Sequence, residues 1–177
     1  GQRFVQHNNV IESAKKASVK HIIYTSLLGA TNDNTVKSLA GEHVETEAAL
    51  KASGITYTIL RNGWYTENYT ASIPAALANN AFYGSAKNGK ISSVLRAELA
   101  EAAVNVALSE GHENQTYELA GSTSWTLADL AAEISKQTGK DIPYVDIPAA
   151  DYAAALVQAG LDEGFAGLIA QWDVCLL

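Results

Sequence analysis

The densest group of chemically capable side chains is Arg61-Asn62-Gly63-Trp64-Tyr65-Thr66-Glu67-Asn68-Tyr69. It follows Ile55-Thr56-Tyr57-Thr58-Ile59-Leu60, an uncharged run of β-branched, aromatic and aliphatic residues with the composition of a strand buried on both faces of a parallel sheet. Asn62-Gly63 stops that strand. Ligands of open α/β sheets bind beyond the carboxyl ends of strands, so large rings, a guanidinium, carboxamides and an acid at such an end mark a binding site. The plainer reading is that Trp64 and Tyr65 plug the sheet end. A plug needs neither a second carboxamide nor an acid, which favours the site.

Other reactive side chains are less promising. His7, His21, His43 and His112 form no His-x-x-x-His pair and Cys175 is the single cysteine, so no metal site is expected. Ser26 closes a second short run, His21-Ile22-Ile23-Tyr24-Thr25, without the Gly-x-Ser-x-Gly setting of a nucleophile. It reads as a strand-end hydrogen-bonding residue. A glycine loop that could cradle a pyrophosphate at a helix start is missing, since only Gly164 and Gly167 stand three apart and no strand precedes them.

The elements that must position these groups follow from periodicity. A helix is predicted from Phe4 to Ser18 with Val10, Ile11, Ala14 and Ala17 inward, and another from Leu39 to Ala52 with Val44, Ala48 and Leu50 inward and Gly54 as its stop. Strand, helix and strand with short connections make a βαβ crossover, which sets two parallel neighbours in one sheet. The loop after Ser26, running through Gly29, Asn32, Asp33 and Asn34, and the segment Asn62 to Tyr69 therefore open on the same edge. Further on, the sequence predicts a short helix beginning around Pro74, strands at Ala81 to Tyr83 and Ile91 to Val94, and a helix from Arg96 to Ser109 with Leu99, Ala103, Val106 and Ala107 inward. A strand at Gln115 to Ala120 follows. Thr126 and Asp129 form a capping signal for a helix carrying Leu127, Leu130, Ala131 and Ile134 on one face and closed by Gly139. A strand at Ile142 to Ile147 and helices from Pro148 to Ala159 and Glu163 to Trp172 complete the chain.

Composition limits the function classes. At 177 residues with 47% hydrophobic and 18% charged residues the chain fits one globular domain and excludes disorder. A net charge of -7 argues against a nucleic-acid ligand. No apolar run reaches the roughly 20 residues of a membrane span, and no signal-peptide pattern opens the chain, so the cytoplasm is expected and no membrane partner. There is no methionine, even at position 1, and the chain opens on a helix-like segment instead of a strand. A piece of a longer protein is expected.

Arg3 to His7, Tyr24-Thr25-Ser26-Leu27-Leu28, Gly41-Glu42-His43-Val44-Glu45-Thr46-Glu47, Tyr117-Glu118-Leu119-Ala120-Gly121 and Trp125-Thr126-Leu127 resemble the NmrA-like branch of the atypical short-chain dehydrogenases, and within it the NADPH-dependent quinone reductases. Leu60 to Tyr69 is the most specific part of the likeness. The resemblance implies an α/β fold: an incomplete Rossmann-type doubly wound parallel sheet with a small C-terminal α/β lobe. Residues 1–177 would form a single NAD(P)-binding domain fragment, with those from about 115 contributing mainly to a substrate lobe. The phosphate loop is expected upstream of Gly1 and the extreme C-terminus is expected to be cut, so the fragment alone should bind NADPH poorly and lack activity.

The implied cofactor is NADPH, and the implied contacts are Arg3, Phe4, Val5, Gln6, His7, Asn8, Thr25, Ser26, Leu27, Asn62, Gly63, Trp64, Asn68, Tyr69, Thr70, Ala71, Ser72 and Ile73. Tyr65 would stack on the substrate, a small-molecule quinone. Short-chain dehydrogenases commonly use Tyr-x-x-x-Lys for proton transfer. The matching place here reads Leu39-Ala40-Gly41-Glu42-His43. Carbonyl reduction is therefore disfavoured, whereas a quinone accepts hydride and takes its proton from solvent or from His43. His43 reads equally as an ordinary surface residue of its helix. The rival reading is an NmrA-like redox sensor that binds NADP(H) without turnover, and a homodimer is left open for either.

Overall fold

A computed structural model of the protein describes residues 2–31 and 37–175, the side chains of 37–39 excepted. In chain order the elements are α1 (Arg3–Lys16), β1 (His21–Leu27), α2 (Lys37–Ala52), β2 (Thr56–Asn62), α3 (Glu67–Thr70), α4 (Ile73–Asn79) and β3 (Phe82–Gly84). They continue with α5 (Arg96–Leu108), β4 (Gln115–Leu119), α6 (Leu127–Thr138), β5 (Tyr144–Asp146), α7 (Ala149–Gln158) and α8 (Glu163–Val174). Two compact units are interleaved along the chain: Gly1–Trp64 with Val94–Gly121, and Tyr65–Ser93 with Ser122–Leu177. The strand at 115–119 thus belongs to the first unit.

The first unit holds a parallel sheet in the order β1-β2-β4. The expected crossover is present, with Ser26 opposite Arg61 and Leu27 opposite Asn62. Pairing continues past the strand ends, where Leu28 N donates to Asn62 O at 2.9 Å and Gly63 N to Leu119 O at 2.7 Å. Side chains alternate across the pleat, so Ile22 and Tyr24 of β1 and Tyr57 and Ile59 of β2 turn toward the helices. There Ile11 of α1, Leu50 of α2 and Ile59 make a buried apolar cluster, with Ile22, Tyr24, Ala49 and Tyr57 packed on it.

The helix faces differ from the periodicity reading in an informative way. Val10 is 65% exposed and Ala17 is also at the surface. The covered seam of α1 is Phe4, His7, Asn8, Ile11 and Ala14, a proper helical stripe in which two members are polar. In α2 Ala48 is exposed, while Ala40, Thr46, Glu47 and Leu50 are buried. Ala107 of α5 is likewise exposed. Apolar spacing misplaces these seams by about one position, because polar residues occupy inward places and have partners there.

In the second unit β3 and β5 pair in parallel. The predicted strand at Ile91 to Val94 is instead a single antiparallel bridge between Ile91 and Trp125, closed by hydrogen bonds of 2.8 and 3.0 Å. Its α6 helix begins in the expected capping box: Asp129 N donates to Thr126 Oγ1 at 3.1 Å, and Thr126 N to Asp129 Oδ2 at 2.8 Å. Leu127, Ala131 and Ile134 are buried, and Gly139 takes the left-handed conformation, φ 67°, that ends the helix. After β3 the turn is held by side chains, with Ser85 N donating to Asp173 Oδ2 at 2.9 Å, Ala86 N to the Tyr144 hydroxyl at 3.1 Å, and Lys87 N to Asp146 Oδ1 at 2.7 Å.

Two substitutions test this frame. A Cβ at Gly63 would lie 2.7 Å from the Leu119 carbonyl oxygen, a backbone atom of the neighbouring strand. Gly63→Ala should cost about 1–3 kcal/mol by overpacking, and Thr126→Ala about 1 kcal/mol by loss of the cap, both read from urea denaturation followed by tryptophan fluorescence.

Candidate functional site

The carboxyl half of the first unit's sheet carries a charge network centred on a buried carboxylate on its α1/α2 side. Glu47, one turn beyond His43 on α2, is 3% exposed and sits over β1 and β2. Arg61 grips it bidentately through one guanidinium edge, Nε to Oε1 at 2.9 Å and Nη2 to Oε2 at 2.7 Å, and Ser26 Oγ donates to Oε1 at 2.6 Å. The remaining Nη1 reaches Glu118 Oε1 on β4 at 2.8 Å, and Glu118 Oε2 accepts from Gly29 N at 2.9 Å. Burial would raise the Glu47 pKa, but the hydrogen bonds from Arg61 and Ser26 and the charges of Arg61 and Lys51 outweigh it and hold the carboxyl below its ordinary value. The bond to Glu47 in turn holds the Arg61 pKa above the usual arginine range.

Next to this network lies a row of hydrogen-bonding groups shared by α1, β1 and α2. The Tyr24 hydroxyl is 2.6 Å from His43 Nδ1 and 3.5 Å from His7 Nδ1. His7 Nδ1 is 3.1 Å from Thr46 Oγ1, which donates to the Glu42 carbonyl at 2.7 Å. Arg3 pairs with Glu42 at 3.2 Å. Burial, then the electrostatic effects of Arg3 and His7, lower the His43 pKa below the ordinary histidine value, and burial raises that of Tyr24. A neutral imidazole hydrogen-bonded to a phenol can present a donor to an oxygen that gains negative charge.

The predicted residues are distributed as follows. In the first unit Arg3, Phe4, His7 and Asn8 are half-buried on α1, whereas Val5 and Gln6 face solvent. Thr25 is exposed and Leu27 half-buried, while the Ser26 hydroxyl is committed to Glu47. Asn62 and Trp64 are half-buried around the buried Gly63. The Asn62 side-chain Oδ1 is buried with no hydrogen-bond partner among the described residues. In the second unit Tyr65, Ser72 and Ile73 are half-buried and Asn68, Thr70 and Ala71 exposed. Tyr69 is buried there, its ring edge-on to Trp125 at 5.1 Å. The loop positions Asn32, Asp33 and Asn34 lie outside the described residues.

Sequence reading missed Tyr24, Thr46, Glu47 and Glu118. Signals for two of them existed: Tyr24 stands two before Ser26, on the same strand face, and Glu47 four after His43, on the same helix face. Nothing in the spacing joins either to Glu118, some seventy or more residues further on. Among the described residues no group of three His, Cys, Asp or Glu side chains is arranged to hold a metal ion.

A parallel sheet covered by crossover helices, with polar groups gathered at its carboxyl half, is the Rossmann-type arrangement of nucleotide-binding α/β proteins. The chain belongs to the NAD(P)H-binding family, whose model matches residues 2–110. It falls in the NmrA-like branch: it is 55% identical over 174 residues to quinone oxidoreductase 2 of Escherichia coli strain K12, covering 98% of this chain and 60% of that protein. An NmrA-like family domain-containing oxidoreductase of Aspergillus flavus, flvB, is 35% identical over 150 residues, covering 77% of this chain and 45% of that protein. The crystal structure of the Escherichia coli NADPH-dependent quinone oxidoreductase complexed with NADPH superposes with a TM-score of 0.93 at 53% identity, covering 99% of this chain and 62% of that one. The chain therefore spans about 60% of the length of this quinone oxidoreductase.

Removing the Arg61 side chain strands a buried carboxylate, so Arg61→Ala should cost about 3 kcal/mol in chemical denaturation, and Arg61→Lys, which keeps the charge without the fork, should recover part of it. Because the folded Glu47 carboxyl titrates below its ordinary value of 4.5, its contribution is present above that value and lost as pH falls through the folded value. The stability deficit of Glu47→Gln should therefore narrow between about pH 6 and about pH 3, measured as denaturation midpoints of both proteins.

Proposed function

We propose that this protein reduces quinones by hydride transfer from NADPH. The observation that carries the reading is the 55% identity to a quinone oxidoreductase over nearly the whole chain, in a sheet whose carboxyl end suits a dinucleotide. The fit rests on Asn62: a buried oxygen acceptor without a protein partner at the end of the middle strand is matched by an N–H of a bound ligand.

In the first unit the proposed cofactor contacts are Arg3 to Asn8, Thr25, Leu27, Asn62, Gly63 and Trp64, with Ser26 acting through its backbone because its hydroxyl serves Glu47. In the second unit Asn68 to Ile73 are proposed as cofactor contacts and Tyr65 as the substrate contact. When bound, NADPH supplies the hydride. The chain's own contribution is orientation and a hydrogen bond to the quinone oxygen that gains charge, for which His43 is the proposed donor. The helices near the sheet edge carry no Tyr-x-x-x-Lys pair, which suits a substrate that needs no strong acid and equally suits the second reading, a redox sensor that binds NADP(H) without turnover.

We place the protein in the cytoplasm with no nucleic-acid or membrane ligand. The net charge of -7 weighs against a nucleic-acid ligand; among the described residues no helix is long and apolar enough to cross a membrane. Whether it forms a homodimer is read by sedimentation.

The protein expressed from its natural reading frame, mixed with NADPH and a benzoquinone, should consume NADPH at catalytic rates. Binding seen by calorimetry without turnover would favour the sensor. His43→Ala should lower kcat about 100-fold with little change in NADPH affinity.

A further inference from the structure

The tautomer of His43 can be worked out from its neighbours. The Glu42 carbonyl only accepts, so Thr46 spends its hydroxyl proton there, at 2.7 Å. Thr46 Oγ1 must then accept from His7 across 3.1 Å, which puts a proton on His7 Nδ1. With that nitrogen protonated, His7 cannot accept the Tyr24 proton across 3.5 Å. The acceptor nearest the Tyr24 hydroxyl is then His43 Nδ1 at 2.6 Å, whereas Thr46 Oγ1, which also bears on that hydroxyl, already accepts from His7. Nδ1 of His43 is therefore the unprotonated nitrogen, and its ring proton sits on Nε2, which has no hydrogen-bond partner among the described residues.

We propose that Tyr24 is a positioning residue that locks His43 in the Nε2–H tautomer, so that a neutral imidazole offers one defined donor to the quinone oxygen. The tautomer lock itself stands on hydrogen-bond geometry, and its catalytic value rests on the reductase reading above. An imidazole in the other tautomer would turn a lone pair toward that oxygen and repel it.

The surroundings agree. From α1, Arg3 and His7 bear on His43; from β1, Tyr24; from its own helix, Glu42 and Glu47. Burial and the α1 side chains Arg3 and His7 act against the imidazolium, while the two glutamates act for it, and the balance lies on the neutral side. Tyr24 adds to that balance, because a protonated Nδ1 cannot accept the phenol proton across the 2.6 Å contact. Losing the hydroxyl should raise the His43 pKa.

The test uses [15N]histidine-labelled protein from the natural reading frame, with His43 assigned through His43→Gln. Long-range 1H–15N correlation spectra then report protonation at each ring nitrogen without any substrate. The parent at neutral pH should show His43 protonated at Nε2 and not at Nδ1. Tyr24→Phe should show both tautomers in exchange and a His43 that titrates at higher pH. With NADPH and benzoquinone, Tyr24→Phe should lose about five- to tenfold in kcat at unchanged KM, the size of one hydrogen bond. In the His43→Gln background, where an amide donates without a tautomer to select, Tyr24→Phe should have no further effect on kcat.

A parent His43 protonated at Nδ1 overturns the proposal, as does a single Nε2–H tautomer that survives Tyr24→Phe. The parent spectrum decides the first point even if the variant fails to fold. A parent with the expected tautomer that consumes no NADPH with quinone supports the lock and removes the reductase reading instead.

Discussion

The buried pair of Glu47 and Arg61 is the constraint on which the first unit depends. A carboxylate placed under a helix and over a sheet is costly to desolvate, and the cost is offset only if its lone pairs are filled. Here they are filled by two nitrogens on one edge of a guanidinium and by a serine hydroxyl. The same guanidinium extends to Glu118, which holds the backbone of Gly29. One interaction thus ties α2 to all three strands and to the turn after β1. A register slip by one residue would move Ser26 and Arg61 to the other face and leave Glu47 buried alone.

That arrangement grades the seam between α1 and α2. Toward the N-terminal turns of both helices, which approach the carboxyl half of β1, the seam is polar: Arg3, His7, Glu42, His43, Thr46 and Glu47 meet Tyr24 and Ser26. Toward the opposite end it becomes apolar, with Ile11, Leu50 and Ile59. The apolar part supplies packing, and the polar part is ordered by hydrogen bonds whose donors and acceptors match. Such order is what a site needs if it is to present one protonation state of one imidazole instead of a mixture.

The second unit solves a smaller problem by similar means. Its β3 strand is three residues long, and the turn that follows carries successive backbone N–H groups accepted by Asp173, Tyr144 and Asp146. Burial raises the Asp173 pKa, and the bond from Ser85 N opposes that rise. Side-chain acceptors here do the work that a longer sheet ladder would otherwise do.

Local signals in the chain were enough for the strand-helix-strand crossover, the parallel pairing of β1 with β2, the capping box at Thr126 and the glycine stop at Gly139, because each depends on residues a few positions apart. The block from Arg61 to Tyr69 likewise pointed to the family. Those signals did not show which polar residues turn inward. Val10 and Ala48 satisfy apolar periodicity yet face solvent, while His7 and Glu47 turn in, since their partners arrive from other elements: Thr46 of α2 for His7, and for Glu47 Ser26 from β1, Arg61 from β2 and, through Arg61, Glu118 from β4. Ser26 was legible as a strand-end hydrogen-bonding residue, but its partner was not, and neither was the Trp125 ring that Tyr69 meets edge-on. The inward places are decided by whether a donor finds an acceptor across the fold, and that pairing exists only once the strands and helices have come together.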